Sequence, residues 1–241
     1  MKRFIFLALF ASMLSSGHGF EAEQQRDIEY PISSSIISIS DGIIPRDLNV
    51  VILKKDTVTF KTGSTYPSDS DFFINANFFD KSGPIGLLVV DKKVVSKKTP
   101  GGGCLYVKSG KTKIGKRCPV NVEFNAQTLL LGIVDGKINS ALIEKSHSMK
   151  LDYRTVIGET QGGDIILVAS TRTGIVTIEE ILTVAIERGV INGILFDGGS
   201  SVEYGFLTQT GRNTFKSIPG IIKKELGIEE PKSFVYGKIK G

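Results

Sequence analysis

The carboxylate of Asp197 stands where a strongly apolar run gives way to small residues. Residues 193–196 (GILF) predict a buried strand, and the sequence DGGSS follows directly at 197–201. Glycines allow a sharp turn at the end of such a strand, so Asp197 would be held on a rigid element beside a loop. A carboxylate held in this way can activate water or stabilise positive charge. The alternative is that Asp197 only caps the turn.

A second charged side chain, Arg154, enters a predicted strand in the sequence DYRTVIG (152–158). Its guanidinium offers a planar fork of donors that suits a phosphate or a carboxylate. Together, an arginine, a carboxylate and two amides could bind an anionic sugar derivative and polarise water. In the alternative interpretation Arg154 pairs with Asp152 or Glu159, and the asparagines hold loop backbone. The further polar candidates at strand ends are Asn75, Asn77, Thr155, Ser200 and Ser201.

The sequence argues against several common catalytic devices. Its two histidines are His18 and His147, and His18 falls in a predicted export signal, so a histidine-based zinc site is not expected. The chain contains no G-x-S-x-G, Walker or strand-following G-x-G-x-x-G motif. We therefore expect no metal and no cofactor. Calcium held by Asp197 with Asp164 or Glu159 stays open as an alternative, although no loop has calcium-ligand spacing.

The N-terminal residues predict export. Two basic residues precede an apolar run at 4–14 that is short for a membrane span, and small residues follow it. We expect a signal peptide at 1–19 with cleavage near 19–22, followed by one domain at 26–241. The expected location is periplasmic or secreted, with no stable membrane insertion after cleavage. The alternative is an uncleaved N-terminal membrane anchor.

The two cysteines fit an exported protein. Cys104 and Cys118 bracket two predicted strands that turn at 109–110, so their side chains can lie at disulfide distance and we expect a bond between them. The same part of the chain is basic, since nine lysine and arginine residues accompany one acidic residue between 91 and 117. Such a surface could attract an anionic or phosphate-bearing glycan, or simply be a solvated face. We expect no nucleic acid partner, because no binding motif for one is present.

Predicted strands greatly outnumber predicted helices. Short apolar runs separated by turn residues indicate strands from about 36 to 170. Thr177 and Glu180 form a capping box before an amphipathic run, which predicts a main helix at about 178–188, and a short helix is expected between 217 and 227. We therefore predict an α+β fold, a single domain whose mixed, largely antiparallel sheet carries one main helix and a short C-terminal helix.

Five segments, taken in order, resemble the phosphodiester glycosidase family. They are INANFFDKSGPIGLLV (74–89), AQTLLL (126–131), RTVIG (154–158), TRTGIVTIEEILTVAIERGV (171–190) and ILFDGGSS (194–201). The family pattern maps onto Asn75, Phe78, Gly86, Arg154, Thr155, Gly158, Asp197, Gly198, Gly199 and Ser200. The chain departs from the pattern at Asn77, where glycine is usual, at Leu129 or Leu130, where proline is usual, and in a glycine turn that is one residue shorter.

The resemblance implies hydrolysis of a sugar-1-phosphodiester at the sugar C1–O bond, on an envelope glycan. Arg154 would hold the phosphate, and Asp197 would activate water or stabilise an oxocarbenium-like transition state. Glu159 and Glu203 are the candidates for a second carboxylate. The residues expected to bind substrate or to position Asp197 are Asn75, Asn77, Phe78, Gly86, Thr155, Gly198, Gly199, Ser200 and Ser201.

Two other functions stay open on the sequence alone. The first is a non-catalytic envelope or exopolysaccharide-binding protein that retains the fold, which the departures from the family pattern favour. The second is a phosphodiesterase that cleaves on the other side of the phosphate. Their products separate these possibilities, because a phosphodiesterase releases a sugar phosphate and a glycosidase releases free sugar.

Overall fold

The computed structural model describes residues 30–40, 45–144 and 149–241. The expected signal peptide at 1–19, its cleavage site near 19–22 and His147 lie outside the described residues. Within the described ranges, no helix has the length and apolar character needed to cross a membrane.

In the described part of the chain, strands make up most of the regular structure, and the three α-helices found there are short. In chain order the elements are β1 (Ile32–Ile39), β2 (Arg46–Leu53), β3 (Val58–Gly63), β4 (Phe72–Asn75), β5 (Phe79–Asp80), β6 (Gly83–Pro84), β7 (Leu88–Val90), β8 (Lys93–Ser96), β9 (Gly103–Lys108), β10 (Lys111–Gly115), β11 (Phe124–Thr128), β12 (Leu130–Val134), β13 (Lys137–Ile138), α1 (Ser140–Ile143), β14 (Thr155–Thr160), β15 (Ile165–Ser170), α2 (Ile178–Glu187), β16 (Val190–Leu195), β17 (Glu203–Thr208), β18 (Gly211–Lys216), α3 (Gly220–Leu226) and β19 (Phe234–Ile239).

The strands form three main sheets, and β5 pairs separately with β6. The orders are β1-β2-β15-β14-β16-β12-β13 in the largest sheet, β10-β9-β11-β7-β8 in the second and β18-β17-β4-β19-β3 in the third. All the pairs among these described strands are antiparallel. The main core lies between the sheets, and its members include Ile157 and Ile194 of the first, Leu105 and Phe124 of the second and Ile74 of the third.

The predicted fold class, α+β with one main helix and a mixed sheet, is wrong. Over residues 30–40, 45–144 and 149–241 the protein is mostly antiparallel sheet with only small helices, and its strands are divided among several sheets. The difference has a physical reason at α2, which joins β15 to β16. Both strands pair with β14 and run antiparallel to it, so they share a direction without touching. A crossover that looks typical of a mixed sheet therefore creates no parallel pair here.

Helix α2 itself begins where the capping box indicates. The Thr177 hydroxyl accepts a hydrogen bond from Glu180 N, and the Glu180 carboxylate accepts one from Thr177 N, so free amides at the helix start are satisfied. Its buried side chains, including Ile181 and Leu182, pack on a second core against the largest sheet. The C-terminal helix α3 starts at Gly220 and ends before Gly227, whose φ of 66° is left-handed.

The predicted disulfide bond between Cys104 and Cys118 is confirmed, with a Cα–Cα distance of 5.4 Å. Ser109 and Gly110, with φ values of 52° and 71°, form the turn between β9 and β10. Positive φ at both turn residues matches the twist of a hairpin, which explains why the ends of the two strands meet. Both cysteines are buried beside Leu87.

Replacing both cysteines with alanine is expected to lower the free energy of unfolding by about 3 kcal/mol, because the bond closes a loop of about 15 residues in the unfolded chain. Urea denaturation of the wild type and the Cys104→Ala/Cys118→Ala variant measures the difference. A change below about 1 kcal/mol would show that the bond contributes little to stability.

Candidate active site

The loop that carries Asp197 is tied to two other parts of the chain. Asp197 N donates to Ala76 O at 3.1 Å, and the Asn75 side-chain amide donates to Asp197 O at 2.8 Å. Two residues after Asp197, Gly199 N donates a hydrogen bond to Tyr153 O at 2.9 Å. The strand β16 therefore delivers Asp197 to a point where segments distant in sequence meet.

The two glycines after Asp197 allow the segment before β14 to come close. A Cβ atom at Gly198 would lie 2.9 Å from Tyr153 O and 3.5 Å from Arg154 Nη1. Gly199 has a φ of 62°, and a Cβ atom there would lie 3.3 Å from Asp152 Oδ2. The glycines thus do more than turn the chain, because they bring the charged groups of Asp152 and Arg154 against the Asp197 loop.

Partial burial makes the Asp197 carboxyl group titrate near neutrality. Desolvation is the main cause and raises its pKa to about 6, and the neighbouring charge of Asp152 adds to the rise. Hydrogen bonds from the Ser201 side chain and Gly198 N, with the charge of Lys223, act in the opposite direction. A carboxyl group with this pKa is ionised for most of the time at pH 7 and can accept a proton during a reaction.

Arg154 is held by its backbone and presents a half-buried guanidinium. Its N donates to Ser170 Oγ at 2.8 Å, its O accepts from Ser170 N at 2.9 Å, and its Nη2 donates to Lys150 O at 3.2 Å. Desolvation lowers the pKa of Arg154, and the charge of Asp152 opposes that change. Thr155 follows directly as the first residue of β14 and is 1% exposed.

Asn75 has a positioning role in the structure. It is 1% exposed, and its side-chain oxygen accepts a hydrogen bond from Glu203 N at 3.0 Å while its amide group holds Asp197 O. These two bonds fasten both ends of the 197–203 loop. Inside that loop, Gly199–Ser201 form a 3₁₀ turn in which Ser200 is half-buried and Ser201 is buried.

The predicted residues Asn77, Phe78 and Gly86 lie in an adjoining loop. The Asn77 side-chain amide donates to Gln127 O at 2.7 Å, so the asparagine that departs from the family pattern serves loop-to-loop bonding. Phe78 O accepts from Ile85 N, and a Cβ atom at Gly86 would lie 3.2 Å from Gln127 O. Asn77 is itself buried at 1% exposure, which leaves its amide group bonded to protein.

The structure does not bring together every carboxylate singled out in the sequence. The Glu203 side chain, 3% exposed, pairs with Lys216 Nζ at 2.8 Å and accepts from the Tyr66 hydroxyl. Glu159 lies towards the other end of β14 from Arg154, and Asp164 lies in the turn after it. Neither joins Asp197, and the described part of the chain contains no group of three or more histidine, cysteine or acidic side chains arranged for a metal.

Two charged residues near Asp197 are additional to those predicted. Asp152 lies two residues before Arg154 and forms an isolated bridge with Val176. The spacing D-x-R in an extended segment places both side chains on one side, which is a signal for Asp152 as a site residue. Lys223 is 1% exposed and pairs with Glu230 at 3.1 Å. No feature of the sequence GIIKKELG distinguishes this buried lysine from its exposed neighbour.

Replacing Asn75 with alanine is expected to lower the free energy of unfolding by about 2 to 6 kcal/mol and to reduce any activity that depends on Asp197. The physical reason is that two backbone groups of a partly buried loop lose their partner, at about 1–3 kcal/mol each. Chemical denaturation measures the change, and Asn213→Ala, at an exposed position of β18, is the matched control. If the Asn75→Ala and Asn213→Ala variants lost the same free energy of unfolding, the Asn75 clamp, meaning its two hydrogen bonds to Asp197 O and Glu203 N, would not stabilise the loop.

The chain belongs to the phosphodiester glycosidase family, whose model matches residues 69–222. That match contains the Asn75, Arg154 and Asp197 segments described above. Among curated protein sequences, none matches the chain significantly.

Solved structures of low sequence identity share the fold. The catalytic domain of zebrafish N-acetylglucosamine-1-phosphodiester alpha-N-acetylglucosaminidase, auto-inhibited by its pro-peptide, is similar with a TM-score of 0.64 and 15% identity over 88% of this chain and 83% of that one. A hypothetical protein from Synechocystis gives a TM-score of 0.66 and 11% identity over 87% of this chain and 62% of that one. A Burkholderia pseudomallei protein described as a putative exported protein gives a TM-score of 0.51 and 9% identity over 80% of this chain and 74% of that one.

Proposed function

We propose that this protein is an exported hydrolase that cleaves the sugar C1–O bond of a sugar-1-phosphodiester in an envelope glycan. The observation that carries the proposal is the position of Asp197, a partly buried carboxyl group with a pKa of about 6 on a loop against which Asp152 and Arg154 lie. Family membership supports the reaction class. The apolar N-terminal run and the disulfide bond support an oxidising, periplasmic or secreted location.

In the proposed reaction, water attacks C1 of the sugar and the C1–O bond breaks. The bonding electron pair leaves with the phosphate, whose charge Arg154 holds, and the water proton passes to the Asp197 carboxylate. A phosphate is a good leaving group, so a strong general acid is not required. Asp152 replaces Glu159 and Glu203 as the candidate second carboxylate, because it is the one that lies against the Asp197 loop.

The remaining site residues position these groups. Asn75 holds the Asp197 loop at both ends, and Ser201 and Gly198 donate to the Asp197 carboxylate. We propose Ser200 and Phe78 as contacts for the sugar, and Thr155, which is buried directly after Arg154, as a residue that positions Arg154. Asn77 and Gly86 shape the adjoining loop through Gln127. No metal or cofactor is needed in this scheme.

Product analysis tests the proposal. Purified mature protein is incubated with UDP-N-acetylglucosamine in ¹⁸O-labelled water, and the products are separated by mass. Free N-acetylglucosamine with unlabelled UDP supports cleavage at C1–O, whereas N-acetylglucosamine-1-phosphate with UMP identifies a phosphodiesterase. If this substrate and a panel of glycosyl phosphodiesters all remain intact while glycan binding is measurable, the protein is a non-catalytic binding protein.

The same assay gives a pH prediction. A base with a pKa of about 6 must be ionised to work, so kcat/KM is expected to be flat above about pH 7 and to fall about tenfold per pH unit well below pH 6. A phosphodiester substrate keeps its charge across this pH range. The decrease in kcat/KM would therefore report protonation of a group on the protein. An increase in kcat/KM as the pH drops through 6 would assign Asp197 the role of an acid instead.

A further inference from the structure

A second concave site lies at the far end of β14 from Arg154. It is a cavity of about 280 Å³ where the three sheets meet. The strand spans six residues, so the cavity is roughly 20 Å from Arg154. Its lining residues come from the β2–β3 turn, β3, β10, β14, the β14–β15 turn and β15, and its charged members are Lys54, Lys55, Asp56, Lys111, Lys113 and Glu159.

One lysine of this cavity is fixed by a buried carboxylate. Glu159 is 6% exposed, and Lys113 Nζ lies 2.5 Å from its Oε1. Ile114 N donates to the other oxygen, Oε2, at 3.2 Å. Because both carboxylate oxygens have partners inside the protein, the Lys113 ammonium group is held at the cavity with a defined orientation.

Two further lysines of the cavity, Lys54 and Lys55, contact Asp164. Asp164 Oδ1 accepts a hydrogen bond from Lys55 N at 2.8 Å, and Asp164 Oδ2 lies 4.0 Å from Lys54 Nζ. Gly163 has a φ of 93°, and a Cβ atom there would lie 2.9 Å from Lys55 Cδ. The Lys55 side chain therefore packs across the turn that contains Gly163.

The charge balance of the cavity favours an anion. Four lysines line it with two carboxylates, and Asp164 at its edge still leaves an excess of one positive charge. We propose that this cavity is a second anion site that binds a phosphate group. For its natural ligand the inference rests on the proposed function: a glycan that carries repeated phosphates would place one at Arg154 and another here. The substrate class is then a polymer with several phosphates, not an isolated sugar phosphodiester.

Titration with inorganic phosphate at low ionic strength, followed by ¹H–¹⁵N NMR, tests the site without any turnover. We expect saturable shifts of the Thr112, Gly162 and Gly163 amides, with chloride and acetate at matched ionic strength giving no saturable shift there. The double variant Lys55→Ala/Lys111→Ala is expected to weaken phosphate binding at these amides roughly tenfold. The matched control, Lys93→Ala/Lys98→Ala, removes the same charge from exposed positions of the basic run outside the cavity.

The second site would be overturned by the absence of saturable phosphate shifts at this cavity, and also by each of three further results. They are shifts confined to the Asp197 loop, equal weakening in the two double variants, and equal shifts with acetate. Failure of the proposed function is a separate outcome, because a protein that cleaves no phosphodiester can still bind phosphate at Gly162 and Gly163. Conversely, small substrates can be hydrolysed while phosphate causes no NMR shifts at this cavity. That result would support the hydrolase proposal and contradict the second site.

Discussion

The Asp197→Asn variant is expected to lose turnover of a sugar-1-phosphodiester by about a thousandfold or more, because in the proposed reaction Asp197 is the group that accepts the water proton. Steady-state kinetics with the substrate identified by product analysis measures the loss. The matched control is Asp135→Asn, at an exposed turn between β12 and β13, which is expected to keep wild-type kinetics. Activity of the Asp197→Asn variant above a tenth of the wild-type value would contradict a catalytic role.

The same variant is expected to be more stable than the wild type at neutral pH. Burial raises the pKa of Asp197 from about 4 in an unfolded chain to about 6, so the folded state holds the proton more tightly and is penalised when the group ionises. This penalty develops as the pH rises from about 4 to about 6 and is fully present above that range. Asparagine avoids it, which predicts a gain of about 2–3 kcal/mol at pH 7.5 and none below pH 4.

Urea denaturation at several pH values separates this explanation from a packing effect. A packing effect would give the same difference at every pH, whereas desolvation of a carboxylate gives one that grows with pH. The control Asp135→Asn is expected to show no difference at any pH. An Asp197→Asn variant that is less stable than the wild type at pH 7.5 would contradict the interpretation.

The Arg154→Lys variant is expected to lower kcat/KM about a hundredfold, mainly through a higher KM. Lysine keeps the positive charge, but it lacks the planar fork that binds two phosphate oxygens, and a hydrogen bond to a charged group is worth about 1.5–3 kcal/mol. The backbone bonds of residue 154 to Ser170 persist in the variant, so the strand is retained.

Arg172→Lys is the matched control, because Arg172 is an exposed arginine in the β15–α2 connection. Its kinetics are expected to equal those of the wild type. If Arg154→Lys keeps kcat/KM within threefold of the control, the guanidinium fork does not hold the substrate. Circular dichroism of both variants checks that the fold is the same.

Local signals in the sequence predicted local structure well. The capping box at Thr177 and Glu180 marks the start of α2, and the hairpin pattern around Ser109 and Gly110 predicts the disulfide bond, because each depends on contacts between near neighbours. The fold class was wrong because it depends on which strands become neighbours. That β14 separates β15 from β16 follows from packing of the whole chain and from no local pattern.

The candidate site likewise has features that the local sequence predicts and features that depend on the tertiary structure. The glycines after Asp197 and the side chain of Arg154 are visible as unusual residues at strand ends, and the family pattern singles them out. The hydrogen bond from Asn75 to Asp197 O joins residues 122 positions apart, so its geometry is a product of tertiary structure. The burial of Lys223 depends on the phase of α3 against the rest of the fold, which a seven-residue helix does not encode by periodicity alone.

The position of β19 in the third sheet has a consequence for the order in which the chain folds. Residues 234–239 pair on one side with β4, which carries Asn75, and on the other with β3. A growing chain therefore lacks one of the two neighbours of β4 until synthesis has passed residue 239, so the strand that carries Asn75 stays incompletely paired until then. Closing such distant contacts is slow compared with local folding. The sheet that supports the Asp197 loop is thus completed late, after the strands of the second sheet have had time to form.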